Sequence, residues 1–417
     1  MHILSKRLKN GLRVFSYEFP RLETVGIALG VGFGSIDEPQ RINGAAHFLE
    51  HMMFKGTRKR TWKDIADQLR GLGAYHNAFT DHETTVYFVK VYKGYFREAL
   101  EILSDMIKNS TIPDGEFEKE RGPIINENLI RHDNPKFMIS DYMPRVLYRK
   151  HPARLSVGGD NEKSIRHIKR SELFGLYREY YTPKNCVLAV YGGVGVDEAL
   201  RASEVYFGNF GGAYTSTKRK AAKEAQTRRS MTIARSGIMQ TRIGIGFKCS
   251  PFSTSNMDEF LSFLVIEKYL ASRLFEEVRQ KHGLSYDPAA MYSPYSTFGF
   301  IAAVAGTEPE KLGEVRDIML REFGRLEKGD IDVKEFERSR KALSIQYRIE
   351  REESSRMAIE IALSELMYSG PSLMERLPEK ILEIRLETAK KYCRKYIDVG
   401  NYGMVVLKPK KIGRSGS

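Results

Sequence analysis

Three cysteines in 417 residues, Cys186, Cys249 and Cys393, are too few and too scattered for a disulfide framework or a cysteine metal site, and Cys186 lies in a strand-like apolar run. No stretch approaches the ~20 consecutive apolar residues that cross a bilayer, so no membrane association is expected. The opening residues, Met1 to Leu8, lack the long apolar core of a secretory signal, and the expected location is cytoplasmic. A dinucleotide fingerprint is missing too. Gly192-Gly193-Val194-Gly195 follows a strand-like run without the G-x-G-x-x-G spacing and is read as a turn.

Positive charge is in excess, with a formal net charge of +14. Lys and Arg supply the non-specific part of nucleic-acid binding, but here they are mostly dispersed. The denser clusters, Lys218-Arg219-Lys220 through Arg228-Arg229 and Lys408 to Arg414, read as solvated linker and tail, so no dedicated nucleic-acid partner is expected. A hydrophobic content of 41% and a mean hydropathy of −0.41 belong to an ordinary globular chain. Its length exceeds one typical core and implies two or more domains.

Residues 2–18 read as a hairpin around Asn10-Gly11, the pair that favours a type I′ turn. A strand follows at Val25 to Phe33. Thr61-Trp62-Lys63-Asp64 has the form of a capping box for a helix ending near Gly71-Leu72-Gly73. Ala74 to Phe79 and Thr84 to Val91 alternate as strands, and helices are expected from about Tyr95 to Asn109 and, with an interruption, from Asp114 to His132. A helix near Ser171 to Tyr180 and a strand at Cys186 to Tyr191 close the first half. From Gly208 to Ser230 the chain becomes rich in Gly, Ser, Thr, Lys and Arg, as linkers do. The second half then repeats the element order: strand (Thr241 to Phe247), helix (Met257 to Arg279), strands (Ser285 to Tyr292 and Phe298 to Ala305), helices and a final strand at Tyr402 to Leu407. The expected class is α+β, with two homologous domains, 1–208 and 230–417, joined by a linker at 209–229. Each would hold a mainly antiparallel sheet packed by helices.

One short stretch concentrates chemistry. In Gly44-Ala45-Ala46-His47-Phe48-Leu49-Glu50-His51-Met52-Met53-Phe54, the residues His47, Glu50 and His51 stand three and four positions apart and share one helical face. Phe48, Leu49, Met52 and Met53 surround them with apolar bulk. Two imidazoles at i and i+4 can hold a zinc ion, and the same pattern suits two ordinary helical histidines. A third ligand is required. Glu127 is the best candidate, with Glu120 seven residues earlier and near the same face of a second helix.

Taken together, His47, Glu50, His51, Glu120 and Glu127 resemble the inverted zinc metallopeptidases that include pitrilysin, insulin-degrading enzyme and the mitochondrial processing peptidase. Their motif is His-x-x-Glu-His followed about 75 residues later by a Glu, with another Glu seven before it. His76-Asn77-Ala78-Phe79-Thr80 is similar to the family's substrate-pairing edge strand, and Tyr181-Thr182-Pro183-Lys184-Asn185 precedes the first half's last strand as in the family. In the second half, Ser272-Arg273-Leu274-Phe275 leads to Arg279 and Tyr286, seven apart, like the family's Arg/Tyr pair. The likeness extends over essentially the whole chain.

The resemblance implies a set of roles. His47, His51 and Glu127 would hold one Zn2+ per chain, and Glu50 would act as general base on its water. Glu120 would orient a ligand histidine, Asn77 and Ala78 would pair with substrate, and Arg279 and Tyr286 would grip the peptide backbone and stabilise the oxyanion. The implied substrates are unfolded peptides. The implied assembly is a clamshell made on dimerisation, as a homodimer or with a homologous chain. A catalytically silent subunit of the same fold is the alternative. One departure stands out, since Gly122-Pro123 falls between Glu120 and Glu127 and proline within a helix removes a backbone hydrogen bond.

Overall fold

The computed structural model describes residues 3–133, 135–213, 219–368, 370 and 372–410. The chain divides into two compact units, one of Met1–Asn126, Ser156–Arg219 and Tyr347–Leu377, the other of Glu127–Leu155, Lys220–Gln346 and Pro378–Ser417.

The first unit is built on a six-stranded sheet of β1 (Leu4–Arg7), β2 (Arg13–Glu18), β3 (Thr24–Val31), β4 (Tyr75–Thr80), β5 (Thr85–Tyr92) and β6 (Cys186–Gly192), in the order β1-β2-β6-β3-β5-β4. All neighbours are antiparallel except β2 and β6, so the sheet is mixed. Alternation along β3 explains its two faces. Val25, Ile27, Leu29 and Val31 point into a core shared with α1 (Ala45–Met52), α2 (Trp62–Gly71) and α3 (Phe96–Asn109). Ala28 faces the other way, into a smaller apolar cluster with Met357, Ala358, Ile361 and Ala362.

The β1–β2 connection departs from the expected type I′ turn. Leu8 N–H donates to Leu12 O at 2.8 Å and Gly11 N–H to Leu8 O at 2.9 Å, and Gly11 takes φ +97°. Lys9 and Asn10 therefore form an ordinary turn that the left-handed Gly11 closes, a three-residue loop with a bulge. A type I′ turn would need positive φ at Asn10 as well. Capping of α2 is as read, with Thr61 Oγ1 accepting from Asp64 N–H and the Asp64 side chain accepting from Thr61 N–H.

Helices α4 (Asp114–Asp133) and α5 (Pro135–Leu147) follow, and the boundary between the units falls within α4, after Asn126. α4 runs without a break through Pro123, whose ring nitrogen leaves the Lys119 carbonyl without its helical donor. The expected interruption is absent because one missing hydrogen bond in a 20-residue helix is outweighed by packing; Phe117, Ile124 and Ile125 anchor its inner face in the core. Helices α6 (Glu162–His167), α7 (Arg170–Tyr180) and α8 (Val196–Phe207) complete this half.

The second unit holds a five-stranded sheet of β7 (Arg229–Arg235), β8 (Thr241–Cys249), β9 (Ala289–Pro294), β10 (Gly299–Thr307) and β11 (Gly403–Pro409), in the order β7-β11-β8-β10-β9. Only β7 and β11 run parallel. Replacing β2, β6, β3, β5 and β4 by β7, β11, β8, β10 and β9 reproduces both the order and the parallel pair of the first sheet, so the duplication holds at the level of topology. Its helices are α9 (Met257–Leu274), α10 (Leu312–Lys328), α11 (Val333–Ile349) up to Gln346, the part of α13 (Ser372–Glu383) from Pro378 onward, and α14 (Leu386–Tyr396).

Between them in sequence lies α12 (Ser354–Tyr368), which belongs to the first unit, just as α5 belongs to the second. Each sheet thus carries one helix from the other half of the chain, and glycines mark the seats. A Cβ on Gly26 would stand 2.2 Å from the Ser354 carbonyl oxygen, and one on Gly30 2.7 Å from Leu366. On the second sheet, Gly246 and Gly403 bring the backbone as close to Met143 and Leu147. Gly26→Ala is expected to destabilise the protein by about 1–3 kcal/mol or more, because the obstacle is main chain rather than a movable side chain. Urea unfolding at unchanged m-value checks this, and an unchanged midpoint would contradict it.

Candidate active site

α1 carries His47, Glu50 and His51, with its other residues sunk in the core; Ala45, Ala46, Phe48, Leu49 and Met52 are fully buried. Its N-terminus is held by a side chain the sequence reading did not single out. Glu38 Oε2 accepts the Gly44 N–H at 2.7 Å and the Asn43 Nδ2–H at 3.1 Å, and Oε1 accepts the Ala46 N–H at 2.6 Å. A carboxyl group thus satisfies helix-end donors that would otherwise be orphaned. Burial pushes the Glu38 carboxyl up, and although those three donors pull the other way it lies at about 8. No local pattern announces it; only the fold brings the acid to the helix end.

Removing this cap by Glu38→Ala is expected to cost about 1–3 kcal/mol, since buried N–H groups are left unmade. A raised folded value gives stability that is full below about 4.5 and lost as pH rises through about 8. Wild-type protein freed of metal should therefore lose stability relative to Glu38→Gln across that window. Thermal melts of the two proteins against pH are the check; parallel curves would contradict it.

The two imidazoles converge edge to face, with His51 Nε2 3.3 Å from His47 Nε2. Glu120 reaches across from α4, its Oε1 2.9 Å from His51 Nδ1 and its Oε2 2.5 Å from Lys55 Nζ. Burial works to raise the Glu120 carboxyl, but the hydrogen bonds from His51 and Lys55 outweigh it and hold the group below its ordinary value. An anionic Glu120 accepts a hydrogen bond from the Nδ1–H of His51, which leaves the imidazole lone pair on Nε2, the atom turned toward His47.

Two turns further along α4, Glu127 completes a set. His47, His51 and Glu127 each offer one ligand atom, and these atoms lie within 4.8 Å of one another. Tetrahedral ligands 2.0–2.2 Å from an ion stand ~3.4 Å apart, so small side-chain rotations close the shell. Two neutral nitrogens and one carboxylate suit a divalent cation. His47 is buried, His51 half-buried and Glu127 exposed, so the site opens to solvent on the carboxylate side.

Glu50, itself buried, is tied to β4 by the Thr80 hydroxyl, which donates to its Oε2 at 2.6 Å. Beneath it, Tyr87 and Tyr181 share a hydrogen bond of 2.6 Å, and burial, helped by each other and by the charge of Glu50, drives the Tyr87 phenol well above its ordinary value. β4 forms one edge of its sheet. Ala78 packs toward the core while Asn77 is exposed, its side chain turned back so that Oδ1 accepts the Ala78 N–H at 2.9 Å.

Arg279 and Tyr286 belong to the second unit. Past Leu274 the helix widens into a π-helical segment, Phe275–Lys281, a form that recurs at functional sites. The Arg279 guanidinium lies 4.4 Å from the Tyr286 ring and 5.0 Å from that of Phe275. The neighbouring Glu276 and Glu277 pair with Arg273 and Lys281. Tyr286 is 78% exposed and sits in a loop, because β9 starts only at Ala289, after Pro288, which has no N–H for a strand ladder. Arg242 pairs with Asp287, and Thr307 Oγ1 donates to Leu284 O at 2.8 Å, fixing that loop on both sides of the tyrosine.

The fold and this centre define a duplicated α+β protein in which His47, His51 and Glu127 can hold a metal ion. Residues 13–161 match the family described as Insulinase (Peptidase family M16), and residues 167–343 that described as Peptidase M16 inactive domain. The chain belongs to the M16 peptidase family. It is 30% identical over 310 residues to an uncharacterized zinc protease of Rickettsia felis, covering 73% of this chain and 74% of that protein. With the uncharacterized zinc protease YmxG of Bacillus subtilis it shares 26% identity over 96% of this chain and 97% of that protein. A crystallised protease from Helicobacter pylori has the same fold, with a TM-score of 0.91 over 98% of this chain and 99% of that one at 20% identity. Among the described residues no helix is long and apolar enough to cross a membrane.

Proposed function

We propose that the chain is a zinc-dependent endopeptidase that hydrolyses unfolded peptides or short protein segments and binds one Zn2+ per chain. The observation that carries this reading is the convergence of His47, His51 and Glu127 on one point, next to a buried carboxylate on the same helix. Relatives described as zinc proteases support it. When bound, zinc lowers the pKa of a water molecule toward ~7 and polarises the scissile carbonyl.

The rest falls to the chain's own groups. Glu50 takes the proton of the attacking water and hands it to the leaving amine, a transfer that requires hydrogen-bond reach to both. Glu120 keeps His51 in the tautomer that leaves Nε2 available. The peptide adds as a strand along β4 at Asn77 and Ala78, which gives affinity through main-chain pairing with little demand on sequence. The Asn77 side chain must swing off the Ala78 N–H for that pairing. Arg279 and Tyr286 supply a cation and a phenolic donor to the developing oxyanion.

In this proposal the active form is a homodimer, a clamshell in which each chamber combines the metal centre of one subunit with Arg279 and Tyr286 of the other. Mixing Glu50→Gln with Tyr286→Phe chains would then restore part of the activity, and a complete failure to do so would remove the shared site. Incubation of the protein with unstructured peptides, with and without a chelator, tests the activity itself. Cleavage that ignores the chelator and survives Glu50→Gln would overturn the mechanism.

A further inference from the structure

Thr80 ends β4, and its hydroxyl has one proton to give. Two acceptors are near, Glu50 Oε2 at 2.6 Å and Thr85 Oγ1 at 3.4 Å. Thr85 is fully buried and spends its own proton on the Phe33 carbonyl at 2.9 Å, so it does not donate to Thr80. The shorter contact, to a group that ionises, takes the Thr80 proton.

The position of Thr80 is fixed from several sides. It faces Thr85 in the β4–β5 register. The hairpin loop beyond it is closed by the Asp81 N–H to Thr84 O bond at 2.8 Å, and is pinned to the segment before α1 by Ser35 N–H to Asp81 O at 3.1 Å and Ile36 N–H to His82 O at 3.0 Å. A Cβ on Gly34 would stand 2.5 Å from the Asp81 and His82 carbonyl oxygens, so the two segments touch main chain to main chain. A hydroxyl held this firmly constrains the carboxylate it touches.

We propose that Thr80 is a positioning residue for the general base: its hydroxyl fixes the Glu50 carboxylate to the same edge strand along which the peptide pairs, so that base and scissile bond share one rigid reference. This rests on the endopeptidase reading above. Its consequence is a split between binding and turnover. Asn77 and Ala78 provide pairing two and three residues earlier, so losing the Thr80 hydroxyl leaves peptide affinity alone and misplaces only the base.

The test compares Thr80→Val, which keeps the shape and removes the donor, with Thr80→Ser, which keeps the donor. On an unstructured fluorogenic peptide, Thr80→Val is expected to lower kcat by about 10- to 100-fold, the scale of one hydrogen bond to a charged group, with KM unchanged. Thr80→Ser should restore most of the rate. Zinc content should equal that of the wild type in both, and the Kd for the peptide should agree between Glu50→Gln and the Glu50→Gln/Thr80→Val double variant. In the Glu50→Gln background, Thr80→Val should lower the residual rate no further, because nothing remains to be positioned. A Thr80→Val protein with wild-type kcat, a serine variant as impaired as the valine one, or a loss confined to KM or zinc content would each overturn the role of Thr80 while leaving the peptidase intact. A wild-type protein without chelator-sensitive cleavage would instead remove the reading beneath it.

Discussion

Glu50→Gln is expected to lower kcat for peptide hydrolysis by about 10²- to 10⁴-fold with zinc still bound, the range general-base catalysis supplies. The substitution keeps the shape, and the amide oxygen can still accept from Thr80, so α1 should stay folded. What is lost is the ability to take a proton. Since Glu50 is not among the three groups that converge on the candidate metal position, the variant should retain one zinc per chain. Steady-state kinetics beside elemental analysis of the same sample decide the matter. A variant that loses metal and activity together would make Glu50 a ligand, and one that keeps its rate would remove it from the mechanism.

The second large effect concerns the carboxylates of α4, which have different jobs in the proposed mechanism. Glu127→Gln deletes an anionic ligand, whereas Glu120→Gln removes the partner that orients His51. Loss of an orienting partner costs about 10- to 100-fold in metal affinity, and loss of the ligand itself should exceed about 100-fold. Competition with a chelating dye measures both. The expected order is wild type tightest, Glu120→Gln intermediate and Glu127→Gln weakest, with cleavage at limiting zinc following it. Equal affinities for the two variants would erase the distinction between holding the metal and holding its ligand.

Much of this centre could be read before any fold was known, because its chemistry is periodic. His47, Glu50 and His51 share a face through helix geometry alone, and the seven-residue step from Glu120 to Glu127 survives Pro123 because packing keeps α4 continuous. The repeated element order was legible as well, and it reappears as the same strand order with one parallel pair in each sheet.

Other features rest on contacts between residues far apart in sequence, and no local pattern encodes them. Glu38 lies beyond the reach of any capping signature of α1, and the bond from Thr80 to Glu50 joins a strand end to a helix. β7 falls where the linker was expected to end, since its alternation of Arg, Ser, Met and Thr is that of a half-exposed edge strand and carries too little apolar signal. The exchange of α5 and α12 is likewise silent, for an amphipathic helix shows which face it buries but not against which sheet. The chain's compact units are therefore interleaved, while a reading along the sequence offers only contiguous halves. Gly26 and Gly246 stand at those seats, where a Cβ would meet the Ser354 carbonyl oxygen and the Met143 sulfur. At the second unit's Arg279 the helix was legible, but its widening into a π segment was not, because five-residue spacing has no compositional mark.

In the proposed mechanism three side chains meet at one ion. Anomalous diffraction from crystals of the zinc-loaded protein, recorded on either side of the zinc absorption edge, measures this without reference to activity. One peak per chain is predicted, 2.0–2.2 Å from a nitrogen of His47, a nitrogen of His51 and a carboxylate oxygen of Glu127. No peak there in protein that carries stoichiometric zinc, or a peak held by other residues, would contradict it.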